Sequence, residues 1–209
     1  MKKVLVCDDH TLIAEGISVL LDRDERFSLV GHVTMAKHAL EALSQQPIDV
    51  LLLDLNLKDS DGFEVLHGAR KKYPLLLIII LTMYREESLI QKAMKAGANA
   101  FLEKSVSNNE LLEAMNRSVN DAFFLSKVLQ QEQKQLLQFR DHFAGKMKLT
   151  KREIELICVL AKGKTTHEAA ELLFLSPLTV ETHRKNIFKK LNITNVIELV
   201  NFAHENNLC

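Results

Sequence analysis

Four short apolar runs, each ending on a residue with useful polar chemistry, constrain this chain more than any other feature. Val4-Leu5-Val6-Cys7 leads into Asp8 and Asp9, and Val50-Leu51-Leu52-Leu53 leads into Asp54. Leu77-Ile78-Ile79-Ile80-Leu81 leads into Thr82, and Ala100-Phe101-Leu102-Glu103 leads into Lys104. Runs this short, separated by helix-length stretches, read as buried parallel strands. In an open α/β sheet, sites form outside the carboxyl ends of the strands. Three carboxylates, a hydroxyl and an ammonium are therefore expected at one sheet edge. Clustered carboxylates repel one another, and a hard divalent cation such as Mg²⁺ relieves that repulsion. A carboxylate beside Mg²⁺, a hydroxyl and a lysine is suited to carry a phosphoryl group. A lone Asp after a strand is more often a turn or N-cap residue. The ordered set of four strand ends is what lifts Asp54 above that reading.

The intervening segments fit helices. Leu12, Ile13, Ile17, Leu20 and Leu21 give a helical period over about 11–22. A second strand is predicted at 28–34 and a helix at 35–45, ended by Pro47. Asp61-Gly62 marks a turn before a helix that stops near Lys72, with Pro74 beyond it. A further helix covers about 86–95 with Gly97 as its C-terminal cap, and Ser107 is an N-cap for the next. Alternating strand and helix predicts a doubly wound, five-stranded parallel sheet over residues 1–120. Residues 121–146 are rich in glutamine but contain Phe123, Phe124, Phe139 and Phe143, and read as a helical linker.

Composition excludes several classes. The formal net charge is zero, so no global field points to a partner, although an acidic excess in the first 120 residues gives way to a slight basic one. The longest apolar run, Leu75 to Leu81, is far too short to span a membrane. Only four apolar residues follow Met1-Lys2-Lys3 before Asp8, which predicts no signal peptide and a cytoplasmic protein. Cys7, Cys158 and Cys209 lack metal spacing, and the first two sit in apolar runs expected to bury their thiols. His10, His167 and His183 make no convergent metal spacing either.

Residues 147–209 form a second unit, read as all-α. Thr150 and Glu153 make a capping box for a helix closed by Gly163. A second helix covers about 166–173. After a short turn, Ser176 is the N-cap and Pro177 the first residue of a third helix that runs to about Leu191. Two helices joined by so short a turn form a helix-turn-helix. The third helix carries Arg184, Lys185, Lys189 and Lys190 against one acid, Glu181, with Val180, Ile187, Phe188 and Leu191 as its core face. A fourth helix is predicted from about Asn195 to Glu205.

Asp8-Asp9, Asp54, Thr82 and Lys104 together resemble the receiver domain of two-component response regulators, a flavodoxin-like fold. The resemblance implies that Asp54 accepts a phosphoryl group from a sensor histidine kinase. It implies that Asp8, Asp9, Asp54 and the Asn56 carbonyl hold Mg²⁺. Thr82 and Lys104 would contact the phosphoryl oxygens, and Phe101 would change rotamer on activation. Lys58 stands where the family usually has Pro, which implies a looser loop. The run Leu149-Thr150-Lys151-Arg152-Glu153, then Ala161-Lys162-Gly163, then Leu175 through Ile187, resembles the LuxR-type DNA-binding domain. With the receiver in front, the whole chain resembles a NarL/FixJ-type response regulator. That implies double-stranded promoter DNA as a partner and a homodimer when phosphorylated. Glu181, Thr182 and Lys185 would face the bases, with Arg184, Lys189 and Lys190 on phosphates and Thr179 a further DNA-binding residue. Such a protein is not a turnover enzyme. One alternative is a DNA-binding regulator whose unphosphorylated receiver is gated by a partner. Another is an aspartyl-phosphate phosphatase of the haloacid dehalogenase type, which needs a second acid where this chain has Asn56.

Overall fold

The computed structural model describes residues 1–58, 61–206 and 208, and of residues 136, 137, 139–144 and 146 the backbone alone. The chain divides into two compact units, Met1–Glu132 and Gln133–Cys209. Among the described residues no helix is long and apolar enough to cross a membrane.

In the first unit, strands β1 (Lys2–Cys7), β2 (Phe27–Val33), β3 (Val50–Leu53), β4 (Leu77–Thr82) and β5 (Ala100–Glu103) form where the apolar runs predict them. Helices α1 (Thr11–Leu21), α2 (Ala36–Gln45), α3 (Gly62–Lys72), α4 (Glu87–Lys95) and α5 (Asn108–Asn116) connect them. Strand alternation sorts the side chains into two layers. Leu5, Leu51, Leu53, Ile78, Ile80 and Phe101 face one way, onto α2, α3 and α4. Val4, Val6, Val50, Leu52, Ile79 and Leu81 face the other, onto α1 and α5. With both faces covered, the central strands can be apolar throughout. The order is β2-β1-β3-β4-β5-β6, all parallel, so the order reverses between β1 and β3.

The sixth strand, β6 (Phe124–Leu125), was not expected. It pairs with β5 through Ala100↔Phe124 and Phe101↔Leu125. A two-residue strand carries no periodicity, and Phe124 falls in the segment whose composition predicts the linker. Behind it, the buried Ser126 hydroxyl donates to the buried Glu103 carboxylate. Helix α6 (Lys127–Met147) therefore starts only at Lys127, and its Leu129 belongs to the core of the first unit. The glutamine-rich stretch is helical as its pattern predicts; the side chains of Phe139 and Phe143 lie outside the described residues. The loop expected to loosen at Lys58 runs on into residues 59 and 60, which also lie outside them.

The second unit packs α7 (Lys151–Ala161), α8 (Thr166–Leu172), α9 (Pro177–Leu191) and α10 (Val196–Glu205) around Leu156, Ile157, Leu160, Val180, Ile187 and Leu199. Thr150 and Thr165 each make a complete capping box, and Ser176 and Asn195 cap α9 and α10. Gly163 ends α7 at φ 76°, as Gly97 ends α4 at φ 91°. The end of α8 departs from this habit. Phe174 occupies the left-handed position at φ 52° and is 95% exposed. Its N–H donates to the Glu171 carbonyl, and that of Leu175 to the Ala170 carbonyl, which completes a Schellman motif around a bulky residue. Cys7 is a buried thiol as expected. Cys158 is only half-buried, because Leu156, Ile157 and Leu160 take the inward positions of α7; it is disulfide-bonded. Its Sγ lies 3.1 Å from the Leu208 carbonyl; Cys209 lies outside the described residues.

Glu153 links a cap to an ion pair. Its buried carboxylate accepts from the Thr150 N–H at 2.7 Å and lies 2.6 and 2.8 Å from Lys190 Nζ. Burial raises its pKa, but the bonds from Lys190 and Thr150 outweigh that and hold it below the usual value of 4.5. A carboxyl depressed on folding stabilises the folded state above its unfolded pKa, and that contribution is lost as pH falls through the folded one. Glu153→Gln should lower stability by about 1–3 kcal/mol near neutrality, since a bonded charge is replaced while Lys190 stays partly hydrated. The gap in melting temperature between the two proteins should close as the pH is taken below 4.5. A gap that does not change with pH would contradict the assignment.

Candidate functional site

The register of the sheet assembles the acidic site. Cys7 pairs with Leu53 across β1 and β3, so Asp8 and Asp54 leave adjacent strand ends at the point where strand order reverses. The Asp54 N–H donates to the Cys7 carbonyl at 2.9 Å and that of Asp8 to the Val33 carbonyl at 3.0 Å. Thr82 pairs with Glu103, and the Lys104 N–H donates to the Thr82 carbonyl at 2.8 Å. That places Lys104 beside the same edge.

Lys104 is the hub. Its side chain is 2% exposed, and Nζ lies 2.7 Å from Asp54 Oδ2 and 2.9 Å from both carboxylate oxygens of Asp8. Burial pulls the ammonium pKa down, but the bonds from Asp54 and Asp8 outweigh burial and leave it above the usual value for lysine. Lys104 therefore stays charged at any physiological pH. Asp8, Asp54 and Thr82 are buried, and Asp9 is nearly so. The Tyr84 N–H points at Thr82 Oγ1 over 3.4 Å, and the Asn56 N–H donates to Asp54 Oδ1 at 3.2 Å. Phe101 is fully buried in the layer shared with α2–α4.

The residues fit a divalent cation. Ligand atoms of Asp8, Asp9, His10 and Asp54 all lie within 4.8 Å of one another. Three carboxylates face one ammonium, which leaves an excess of negative charge. Asp8 Oδ2 and Asp9 Oδ1 are within ion-pair distance of Lys104 and His10, yet neither accepts a well-directed hydrogen bond. His10 was passed over in the sequence because its partners are not other histidines. Its Nδ1 lies 2.8 Å from Asp9 Oδ1 and 3.1 Å from both Asp8 Oδ1 and Lys104 Nζ. The sequence also marked Asp61-Gly62 only as a turn. A Cβ at Gly62 would lie 2.3 Å from the Asp54 carbonyl oxygen and 2.7 Å from Leu55 Cα, so only glycine fits beneath Asp54.

On α9 the residues proposed to meet DNA do not share one environment. Glu181, Thr182, Lys185 and Lys189 are exposed. Thr179 is half-buried, and its hydroxyl lies 2.8 Å from that of the cap, Ser176. Arg184 is half-buried against α8, with one guanidinium nitrogen 3.0 Å from Thr166 Oγ1 and its Cζ 5.7 Å from the Phe188 ring centre. Lys190 is held by Glu153. Charge alone could not separate these from Lys185 and Lys189, because the difference lies in what faces them across the helix pair.

Two family models match the chain: the response regulator receiver domain over residues 4–116, and the bacterial regulatory proteins of the luxR family over residues 147–203. The response regulator protein VraR of Staphylococcus saprophyticus is 30% identical over 99% of this chain and 98% of its own length. Response regulator UvrY of Escherichia coli is 30% identical over 100% of this chain and 96% of its own. Among solved structures, the RcsB response regulator of Salmonella typhimurium matches with a TM-score of 0.63 at 23% identity, over 97% of this chain and 98% of that one. The acidic strand-end site lies within the first family match and the helix-turn-helix within the second, and the two curated relatives cover nearly the whole chain. The chain therefore belongs to the NarL/FixJ-type two-component response regulators, which join a receiver domain to a LuxR-type DNA-binding domain.

Proposed function

We propose that Asp54 accepts a phosphoryl group from a sensor histidine kinase, and that the phosphorylated protein binds promoter DNA as a dimer through α9. It would act in the cytoplasm, where that DNA lies, and would turn over no substrate beyond its own phosphorylation. The observation that carries the reading is the buried Lys104 ammonium held between Asp54 and Asp8. An ammonium so placed already faces the nucleophile and can follow negative charge as it grows there. Asp8, Asp9, Asp54 and the Asn56 carbonyl would hold Mg²⁺, which supplies charge neutralisation for the phosphoryl oxygens. Asp54 is the nucleophile. Thr82 and Lys104 engage the added oxygens, and Phe101, buried on β5 three residues before Lys104, answers by a change of rotamer. On DNA, Glu181, Thr182 and Lys185 face bases, Arg184, Lys189 and Lys190 serve phosphates, and Thr179 lies at the same end of α9, next to the cap Ser176. Lys189 is the best placed of the last three, because Arg184 and Lys190 would have to leave Thr166 and Glu153. RcsB, a relative in fold, is described as dimers bound to DNA, which supports the dimer reading.

The test uses the full chain, acetyl phosphate and a pool of duplexes with a randomised centre. With Mg²⁺ the protein should double its mass in solution and enrich an inverted repeat, with half-sites about 34 Å apart or a multiple of that. Lys189→Ala should weaken binding to all sequences alike and flatten the salt dependence. Lys185→Ala should cost about 1–3 kcal/mol and relax the preference at one position. Unchanged mass together with unchanged DNA affinity after phosphorylation would defeat the proposal.

A further inference from the structure

Helix α9 presents one solvent-facing stripe. Leu178, Thr182, Lys185 and Lys189 are spaced i, i+4, i+7 and i+11, and all are exposed. The opposite stripe, with Val180 and Ile187, is fully buried. Leu178 is 73% exposed, although a leucine in the first turn of a helix could have been turned inward. It is the residue of the stripe nearest the N-terminal end, the end from which a recognition helix contacts base edges. Thr182, one turn on, is not a free donor: its hydroxyl donates to the Leu178 carbonyl at 2.9 Å. With that proton engaged, Thr182 offers its methyl group and its oxygen lone pairs. The stripe is therefore apolar at its first two positions and cationic at its last two.

We infer that Leu178 and the Thr182 methyl form an apolar spot that reads thymine C5-methyl groups in the major groove. The inference rests on α9 being the helix that enters DNA. In the major groove the thymine methyl is the one apolar feature of the base-pair edges, and aliphatic groups and the threonine methyl are its natural partners. Side chains at i and i+4 stand about 5–6 Å apart, which suits one or two base steps. The spot is continuous with Lys185 and Lys189, so duplex DNA that meets those two covers it as well. A leucine left in water gains nothing; against a methyl it buries apolar area on both partners.

The test takes the full chain, phosphorylated with acetyl phosphate and Mg²⁺, and the duplex it enriches from the randomised pool. Each thymine of that duplex is replaced singly by uracil, which deletes one methyl and no hydrogen-bonding group. One or two positions in each half-site should lose about three- to tenfold in affinity, as expected for one lost methyl contact. Leu178→Ala should bind thymine and uracil at one such position alike. Thr182→Ser keeps the hydroxyl bond and should erase the preference at a neighbouring one. Melting temperature should be unchanged in both, because neither side chain is in the core. If uracil costs nothing at any position, or costs Leu178→Ala and Thr182→Ser as much as the parent, the inference is overturned. In the second case the apolar spot would be left for a protein partner. If no duplex is enriched at all, the reading of α9 as the DNA helix fails with it, a result distinct from binding that is indifferent to methyl groups.

Discussion

Asp54→Asn is expected to reduce phosphoryl labelling to background, from acetyl phosphate or from the cognate kinase, in a protein that still folds. An amide of the same shape preserves the packing beneath β3, but it has no charged oxygen with which to attack phosphorus. The parent should show an acyl phosphate that is stable to acid and labile to base, and that forms only when Mg²⁺ is present. Asp9→Ala, which removes one carboxylate of the cluster, should slow labelling without abolishing it. Lys104→Ala should still be labelled yet gain little DNA affinity from it, since a charge-assisted contact of order ~1.5–3 kcal/mol is lost on the phosphorylated side. Labelling of Asp54→Asn at the parent's rate would remove Asp54 from the chemistry altogether.

The second large effect is expected at Gly62. An alanine there would drive its Cβ into the Asp54 carbonyl oxygen and Leu55 Cα, at 2.3 and 2.7 Å. Both are backbone atoms, so no side chain can swing away. The Gly62 N–H also donates to the Leu55 carbonyl at 2.9 Å, which ties the loop to the residue that follows Asp54. Overpacking of this kind costs about 1–3 kcal/mol, and relief must come from moving the segment that carries Asp54. Gly62→Ala should therefore melt lower and be labelled more slowly. Gly16, exposed in the middle of α1 with nothing within 4 Å of its position for a Cβ, is the internal control. Gly16→Ala should melt higher, by the equivalent of about 0.5–1 kcal/mol. Equal melting temperatures and labelling rates for Gly62→Ala and the parent would show that the loop gives way without consequence.

What could be read from the residues followed from their periodicity. Most of the five longer strands announce themselves because strands covered on both faces are apolar without a break, and the helices between them because their apolar residues recur every three to four positions. The strand-end carboxylates, Thr82 and Lys104 came with them, since a parallel sheet brings such ends together whatever the details. β6 escaped because Phe124 and Leu125 are too few to show a period. His10 escaped because its partners, Asp8, Asp9 and Lys104, include one far away in sequence and none of its own type. Phe174 was read only as part of a turn, and no rule of residue preference puts phenylalanine at φ 52° when glycine serves at the ends of α4 and α7. Among the basic residues of α9, only tertiary partners separate Arg184 and Lys190 from Lys185 and Lys189.

The two residues of β6 bear on how a signal could leave the acidic site. Ala100 and Phe101 have ladder partners on both flanks, Ile79 and Ile80 in β4 and Phe124 and Leu125 in β6. The main chain at Phe101 is thus clamped like a rung between two rails. Sliding β5 by one residue would turn Phe101 into the opposite layer and break both ladders at once. The torsions of its own side chain remain as the inexpensive degree of freedom. If a message passes through Phe101 as proposed, it is carried by rotation of the side chain between separate staggered wells and not by a slide of the strand. A switch built on that ring, as proposed, would work in steps and not by degrees.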